Sequence, residues 1–196
     1  MGDGILKKKE RKLTRLYDAA YALFSSKGVS QTVVDDIVKK AGVAKGTFYL
    51  YFKDKHDLVN KVIVRKISRV LDSAMAALED VKSRSSLDFE QCVIFFVDYL
   101  IGCFRDDMGF LELIFRNLSL GLYEMAFQCE EMADIRETFI ATFTLDGGNR
   151  NEASKRLYLI VCLVSVVCYN SIVLKLPYEY DEIKPELYLS VRQILT

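Results

Sequence analysis

The 196-residue sequence predicts an all-α protein, with a small basic helical domain over residues 1–53 and a larger helical domain over 54–196. Three observations predict it. Apolar residues recur at the three-and-four spacing of a helix along most of the chain, and no stretch sustains the alternation of a half-buried strand. Only two prolines occur, so little breaks a helix once begun. Charge is divided: residues 1–69 carry 16 basic against 7 acidic side chains, a net +9, and the remainder carries −9, summing to zero. Such asymmetry points to a nucleic-acid or membrane contact made by one part alone.

The elements follow in order. Leu13, Leu16, Tyr17, Ala20, Leu23 and Phe24 share one helical face, and Gly28 stops that helix. A second helix begins at about Val33, with Thr32 as its N-cap and Val34, Ile37, Val38 and Ala41 on one side, and Gly42 closes it. Lys45 to Leu50 forms a third, too short to exist without packing on its neighbours. Asp54 opens a fourth that runs to about Val81 and links the two domains; Asp57 three residues on makes a D-x-x-D capping pair at the positive end of the helix dipole. After a polar break the spacing predicts helices over 87–104, 107–119, 122–144, 151–175 and 184–195. The β-branched run Val161 to Val167 lies in too long an apolar stretch to read as a strand.

Composition excludes several classes. With 51% apolar and 28% charged residues the chain is neither disordered nor collagen-like. Its five cysteines form no C-x-x-C pair, which fits reduced thiols and a cytoplasmic location. The basic N-terminus lacks the apolar core of a secretory signal. Leu157 to Leu174 holds no formal charge and reaches the lower limit for a spanning helix, so a membrane-tethered protein is one alternative. Ser165, Asn170 and Ser171 within it, and cations at both ends, favour the centre of a helical bundle and no membrane partner. A helical enzyme acting on an apolar substrate is the other alternative. No nucleophile elbow, Walker motif, dinucleotide fingerprint or metal-spaced cluster supports it, and His56, the only histidine, reads as a surface residue. No metal or cofactor is expected.

Two short helices joined at Gly42, the second presenting Lys45, Thr47, Tyr49 and Tyr51, form the helix-turn-helix layout, whose second helix enters the major groove. Residues 13–58 resemble the TetR family of transcriptional regulators. The resemblance is carried by Thr32-Val33-Val34-Asp35-Asp36-Ile37, by Ala41-Gly42-Val43-Ala44-Lys45-Gly46-Thr47-Phe48-Tyr49 and by Tyr51-Phe52-Lys53-Asp54-Lys55. It implies a three-helix DNA-binding domain, a C-terminal helical domain that binds a small effector, and a homodimer formed through the last two long helices, most often a repressor on a palindromic double-stranded operator.

Roles carry over position by position. Thr32 resembles a helix-start hydroxyl that meets a phosphate, and Lys45, Gly46, Thr47 and Tyr49 match the recognition face. Lys45 is the candidate for guanine O6 or N7, and a side chain at position 46 would hold the backbone off the duplex. Tyr51, Lys53 and Lys55 resemble phosphate contacts. Asp35 departs from the family, in which a basic residue is common there; a carboxylate repels phosphate but can accept from cytosine N4. Phe48 and Phe52 read as core.

In the C-terminal part the resemblance selects an aromatic subset, Phe96, Tyr99, Phe115, Tyr123 and Phe127, as the lining for a hydrophobic effector. Asp98, Glu112, Arg116 and Arg136 are candidates for orienting a polar group on it. The expected dimer face is Leu157, Ile160, Val161, Val164, Cys168 and Ile172 with Leu187 and Val191. Cys162 and Cys168, six apart, do not share a helical face, which argues against a redox pair.

Overall fold

A computed structural model describes residues 2–117, 133–145 and 149–196, and every regular element among them is helical. The chain divides into two compact units, Met1–Lys66 and Ile67–Thr196, and the division falls inside one helix.

The first unit holds α1 (Gly2–Gln31), α2 (Val34–Ala41), α3 (Lys45–Tyr49) and the start of α4 (Lys55–Arg84). Helix α1 begins well before the first apolar stripe, because Lys7 to Lys12 are good helix formers without a breaker among them. Gly28, at φ 81° and ψ 160°, interrupts it in a region open only to glycine. The N-cap of α2 is Val33 rather than Thr32. Thr32 is fully buried and its hydroxyl donates to the Gly28 carbonyl at 2.8 Å, satisfying the interruption instead of the helix start. The unit's core joins Leu16 and Phe24 of α1, Ile37 of α2, Phe48 of α3, Phe52, and Leu58 and Ile63 of α4. Phe48, wholly buried, lies 5.4 Å from the Phe52 ring; burying such a side chain contributes about 2–3 kcal/mol, which holds a five-residue helix that could not persist alone.

The second unit holds the rest of α4, then α5 (Phe89–Asp106), α6 (Met108–Asn117), α7 (Ala133–Leu145), α8 (Arg150–Cys168) and α9 (Tyr180–Leu195). A complete capping box starts α5: the Gln91 amide donates to Asp88 at 2.7 Å and the Asp88 amide to the Gln91 side chain at 3.1 Å. Helix α8 is capped by Asn149 and continues as π-helical turns over Tyr169–Leu174. Its Arg150–Leu174 stretch is long and apolar enough to cross a membrane by length and composition. One side of it supplies Ile160, Val164, Cys168 and Ile172 to a core shared with α5, α6 and α9. Helix α9 starts at Tyr180, four residues before the predicted start at 184, and Pro185 inside it leaves the carbonyl of Asp181, an exposed residue, outside the helical ladder.

This packing places the residues expected at a dimer face. Ile160, Val164, Cys168, Ile172, Leu187 and Val191 are buried in the core of their own unit, and Leu157 and Val161 are half-buried. The exposed apolar positions on the same two helices are Tyr158, Leu159 and Val166 of α8, with half-buried Cys162 between them, and Leu189 of α9. Burial pushes the Cys168 thiol up to about 12, leaving it protonated at neutral pH.

Candidate nucleic-acid interface

The turn between α2 and α3 sets the direction of everything after it. Gly42 adopts φ 61° and ψ 45°, its amide bonds to the Lys39 carbonyl, and the Val43 amide reaches back to the Val38 carbonyl at 3.0 Å, which together make a Schellman close. Arg15 of α1 donates to the Gly42 carbonyl at 3.4 Å. A Cβ at position 42 would lie 2.4 Å from that guanidinium, the movable end of a long side chain, so it is the left-handed conformation that requires glycine.

Helix α3 leaves this turn with Lys45 as its first residue and Tyr49 as its last. Lys45, Gly46 and Tyr49 are exposed, Thr47 is half-buried, and Phe48 points inward. The Tyr49 ring, 54% exposed, packs edge-on against Phe48 at 5.1 Å, which fixes the direction of an otherwise free side chain. Gly46 faces open space, with nothing within 4 Å of where a Cβ would stand. Lys45 is held by Asp35 of α2 in an ion pair of 2.7 Å, and that bond raises its pKa above the usual lysine range. The departure at Asp35 therefore stands beside the foremost readout candidate. Asp36 pairs with Lys27 of α1, which holds its carboxyl below the usual range.

The start of α4 fastens the motif from the other side. The Asp57 amide donates to Asp54 at 2.8 Å, while Asp57 itself accepts from the Lys53 amide at 2.9 Å, one residue beyond a standard box. Lys53 is exposed. Tyr51 is half-buried and its hydroxyl donates to the Lys9 carbonyl of α1 at 3.4 Å.

Two residues expected at phosphates are used inside the fold. Thr32 is buried, as described above. The Lys55 ammonium donates to the Val29 carbonyl at 2.7 Å and the Thr32 carbonyl at 2.9 Å, tying α4 to the turn between α1 and α2. A cation in the first turn of a helix is opposed by the helix dipole, and that mismatch was the sequence signal for a use elsewhere.

Residues 16–62 match the family model for bacterial regulatory proteins of the tetR family. A fatty acid metabolism regulator protein of Bacillus subtilis is 35% identical over 81 residues, 41% of this chain and 40% of its own length. An HTH-type transcriptional regulator of Staphylococcus aureus strain USA300 is 32% identical over 117 residues, 59% of this chain and 60% of its own. Residues 16–62 are therefore similar to the N-terminal domain of the tetR family of bacterial regulatory proteins. The chain spans 34% to 60% of the length of the curated relatives it matches. The fold likeness runs further: the crystal structure of FadR from Bacillus subtilis in complex with stearoyl-CoA superposes with a TM-score of 0.66 over 93% of this chain and 97% of that one, at 18% identity.

In the C-terminal unit, α5 turns Val93, Val97 and Ile101 to the core, and Phe96 and Tyr99 lie half-buried on its other sides. Phe115 stacks on Tyr169 at 3.7 Å and an interplanar angle of 4°. Tyr123 and Phe127 lie outside the described residues. Of the polar candidates, Asp98 accepts from Lys184 at 3.1 Å and from the Tyr188 hydroxyl, tying α5 to α9, and these bonds hold its carboxyl below the usual range. Arg116 pairs with Glu112 on its own helix at 2.6 Å. Arg136 is half-buried on α7.

Proposed function

We propose that this chain is a dimeric, ligand-responsive regulator of transcription, acting in the cytoplasm as a repressor, that grips a palindromic operator through α3 and is released by a hydrophobic small molecule bound in its C-terminal unit. The observation that carries the reading is the recognition face itself. A one-turn helix is anchored by a buried phenylalanine and presents Lys45, Thr47 and Tyr49 around an open Gly46, at the helix start from which base edges are read. Lys53 and Tyr51 flank that face as the phosphate contacts, and Lys45 supplies the base contact.

Dimerisation supports operator symmetry, since two recognition helices about 34 Å apart reach successive major grooves. The exposed apolar residues Tyr158, Leu159 and Val166 of α8 and Leu189 of α9 are the surface on which a second copy fits. The effector is apolar, and the half-buried aromatic residues Phe96, Tyr99 and Phe115 are the candidates for its lining. A long-chain acyl thioester is the first class to test, because the Bacillus subtilis FadR structure of the same fold holds stearoyl-CoA. Such a ligand acts only through its difference in affinity between the DNA-competent state and the other. Helix α4, which contributes residues to both units, is the element it biases.

Selection of bound duplexes from a random library tests the reading. The expected result is a palindromic site whose binding is lost in Lys45→Ala and Tyr49→Ala and weakened by stearoyl-CoA. Absence of enrichment, or binding indifferent to both substitutions, refutes the assignment of α3.

A further inference from the structure

We infer that Asp35 and Lys45 act as one ion-paired reader of a single G·C base pair, Lys45 donating to guanine O6 and N7 while Asp35 accepts from the cytosine N4 amino group. The inference rests on the DNA-binding reading above and adds a specificity-determining carboxylate outside the recognition helix.

The two side chains come from the first turns of two different helices, α2 and α3, and meet at 2.7 Å while both stay more than half exposed, 67% for Asp35 and 56% for Lys45. The dipoles treat them oppositely. Asp35 sits where the N-terminus of α2 favours an anion, and Lys45 sits where the N-terminus of α3 disfavours a cation. The pair therefore fixes the direction of Lys45, and its extra bond keeps the ammonium charged.

Pairing does not exhaust either group. A carboxylate accepts at two oxygens and an ammonium donates three protons, so one oxygen and two protons remain after the mutual bond. The pair offers a fixed donor beside a fixed acceptor. Across the major groove a G·C pair presents N7 and O6 as acceptors and then the cytosine amino group as donor, which complements that order. C·G and A·T present the two central groups in the reverse order and set carboxylate against carbonyl. T·A keeps the central order but replaces the second acceptor with a methyl group, so Lys45 loses a bond there.

The competing role for Asp35 is neutralisation of Lys45, and the two roles separate in one experiment. A duplex selected on the wild-type chain is rebuilt with each base pair at every half-site position and titrated against wild type, Asp35→Ala and Asp35→Asn at two salt concentrations, with circular dichroism confirming that both variants are folded. Wild type is expected to prefer G·C over C·G at one position by about tenfold, within the range for a two-point base contact. Asp35→Ala should abolish that preference and leave the other positions unchanged. Asp35→Asn, which keeps an acceptor and adds a donor, should admit A·T there alongside G·C, with Lys45 on adenine N7 and the added amide donor on thymine O4, and should still reject C·G. If Asp35→Ala instead tightens binding to all duplexes alike and retains the preference, Asp35 is a neutraliser and the inference is overturned. If wild type enriches no duplex, the DNA-binding reading itself fails, and this inference falls with it.

Discussion

Replacing Lys55 with methionine keeps the length of the side chain and removes its ammonium. That ammonium donates to the Val29 carbonyl at 2.7 Å and the Thr32 carbonyl at 2.9 Å, and a third contact to Ser30 at 3.5 Å adds little. A hydrogen bond from a charged donor contributes about 1.5–3 kcal/mol. Because Ser30 is exposed, water recovers part of the loss, and the two short bonds together come to about 2–3 kcal/mol. With a urea slope of about 2 kcal/mol per M, the midpoint for the DNA-binding unit should fall by roughly 1 M, read by circular dichroism. The same variant separates a structural tie from a phosphate contact. Loss of one phosphate contact reduces the slope of log K against log salt by about 0.9, whereas loss of an internal tie weakens binding and leaves that slope as it was. An unchanged midpoint with a reduced salt slope would place the ammonium on DNA and refute the reasoning.

Gly46→Ala should stabilise the free chain by up to about 1 kcal/mol, since glycine is the poorer helix former and a Cβ meets nothing there, while operator affinity drops; unchanged affinity would show that the backbone does not approach the duplex. Leu159→Glu, at a residue 51% exposed, should yield folded monomers by sedimentation, and Val164→Glu, which buries a charge, should unfold the C-terminal unit at a cost on the order of 4 kcal/mol. Folded monomers from Val164→Glu would return the interface to the buried side of α8. Cys168 should resist alkylation in the folded chain at pH 8 and react once it is unfolded, because its thiol is held near pH 12 by burial; rapid native labelling would contradict that burial.

Much of the DNA-binding unit was legible because local chemistry decides it. Gly42 needs a left-handed conformation, Phe48 must be buried for α3 to exist, and Asp54 with Asp57 marks the start of α4. These are dictated within a few residues of chain. The inward bonds of Thr32 and Lys55, unforeseen from the sequence, have one source. A polar side chain near a helix start can turn outward to a phosphate or inward to a carbonyl, and composition is the same in both cases. What decides is the break at Gly28, which leaves carbonyls of the turn in need of donors, and Lys55 arrives from 26 residues along the chain to meet one of them. No local pattern encodes that distance.

The C-terminal unit fails to declare itself for the complementary reason. Periodicity identifies an apolar face when the rest of a helix is polar, but from Leu157 onward α8 is apolar on nearly every side, so its pattern specifies a helix without specifying an orientation. Ile160, Val164 and Cys168 are no more apolar than Leu159 and Val166, yet the first three fill the chain's own core and the latter two stay outside it. The choice is made by what α5, α6 and α9 offer: Val93, Val97, Ile101, Leu111, Leu187 and Val191 form a continuous wall against which one side of α8 packs. The exposed remainder then follows by subtraction. A helix with two apolar faces, of which its own unit covers one, retains an apolar surface that water solvates poorly, and a second copy presenting the same surface about a two-fold axis covers it. The symmetry that this requires is the symmetry of a palindromic operator, so the outer face of α8 and the reading by α3 are predicted to stand or fall together: a folded Leu159→Glu monomer should lose affinity for the palindrome while keeping weak binding to a half-site.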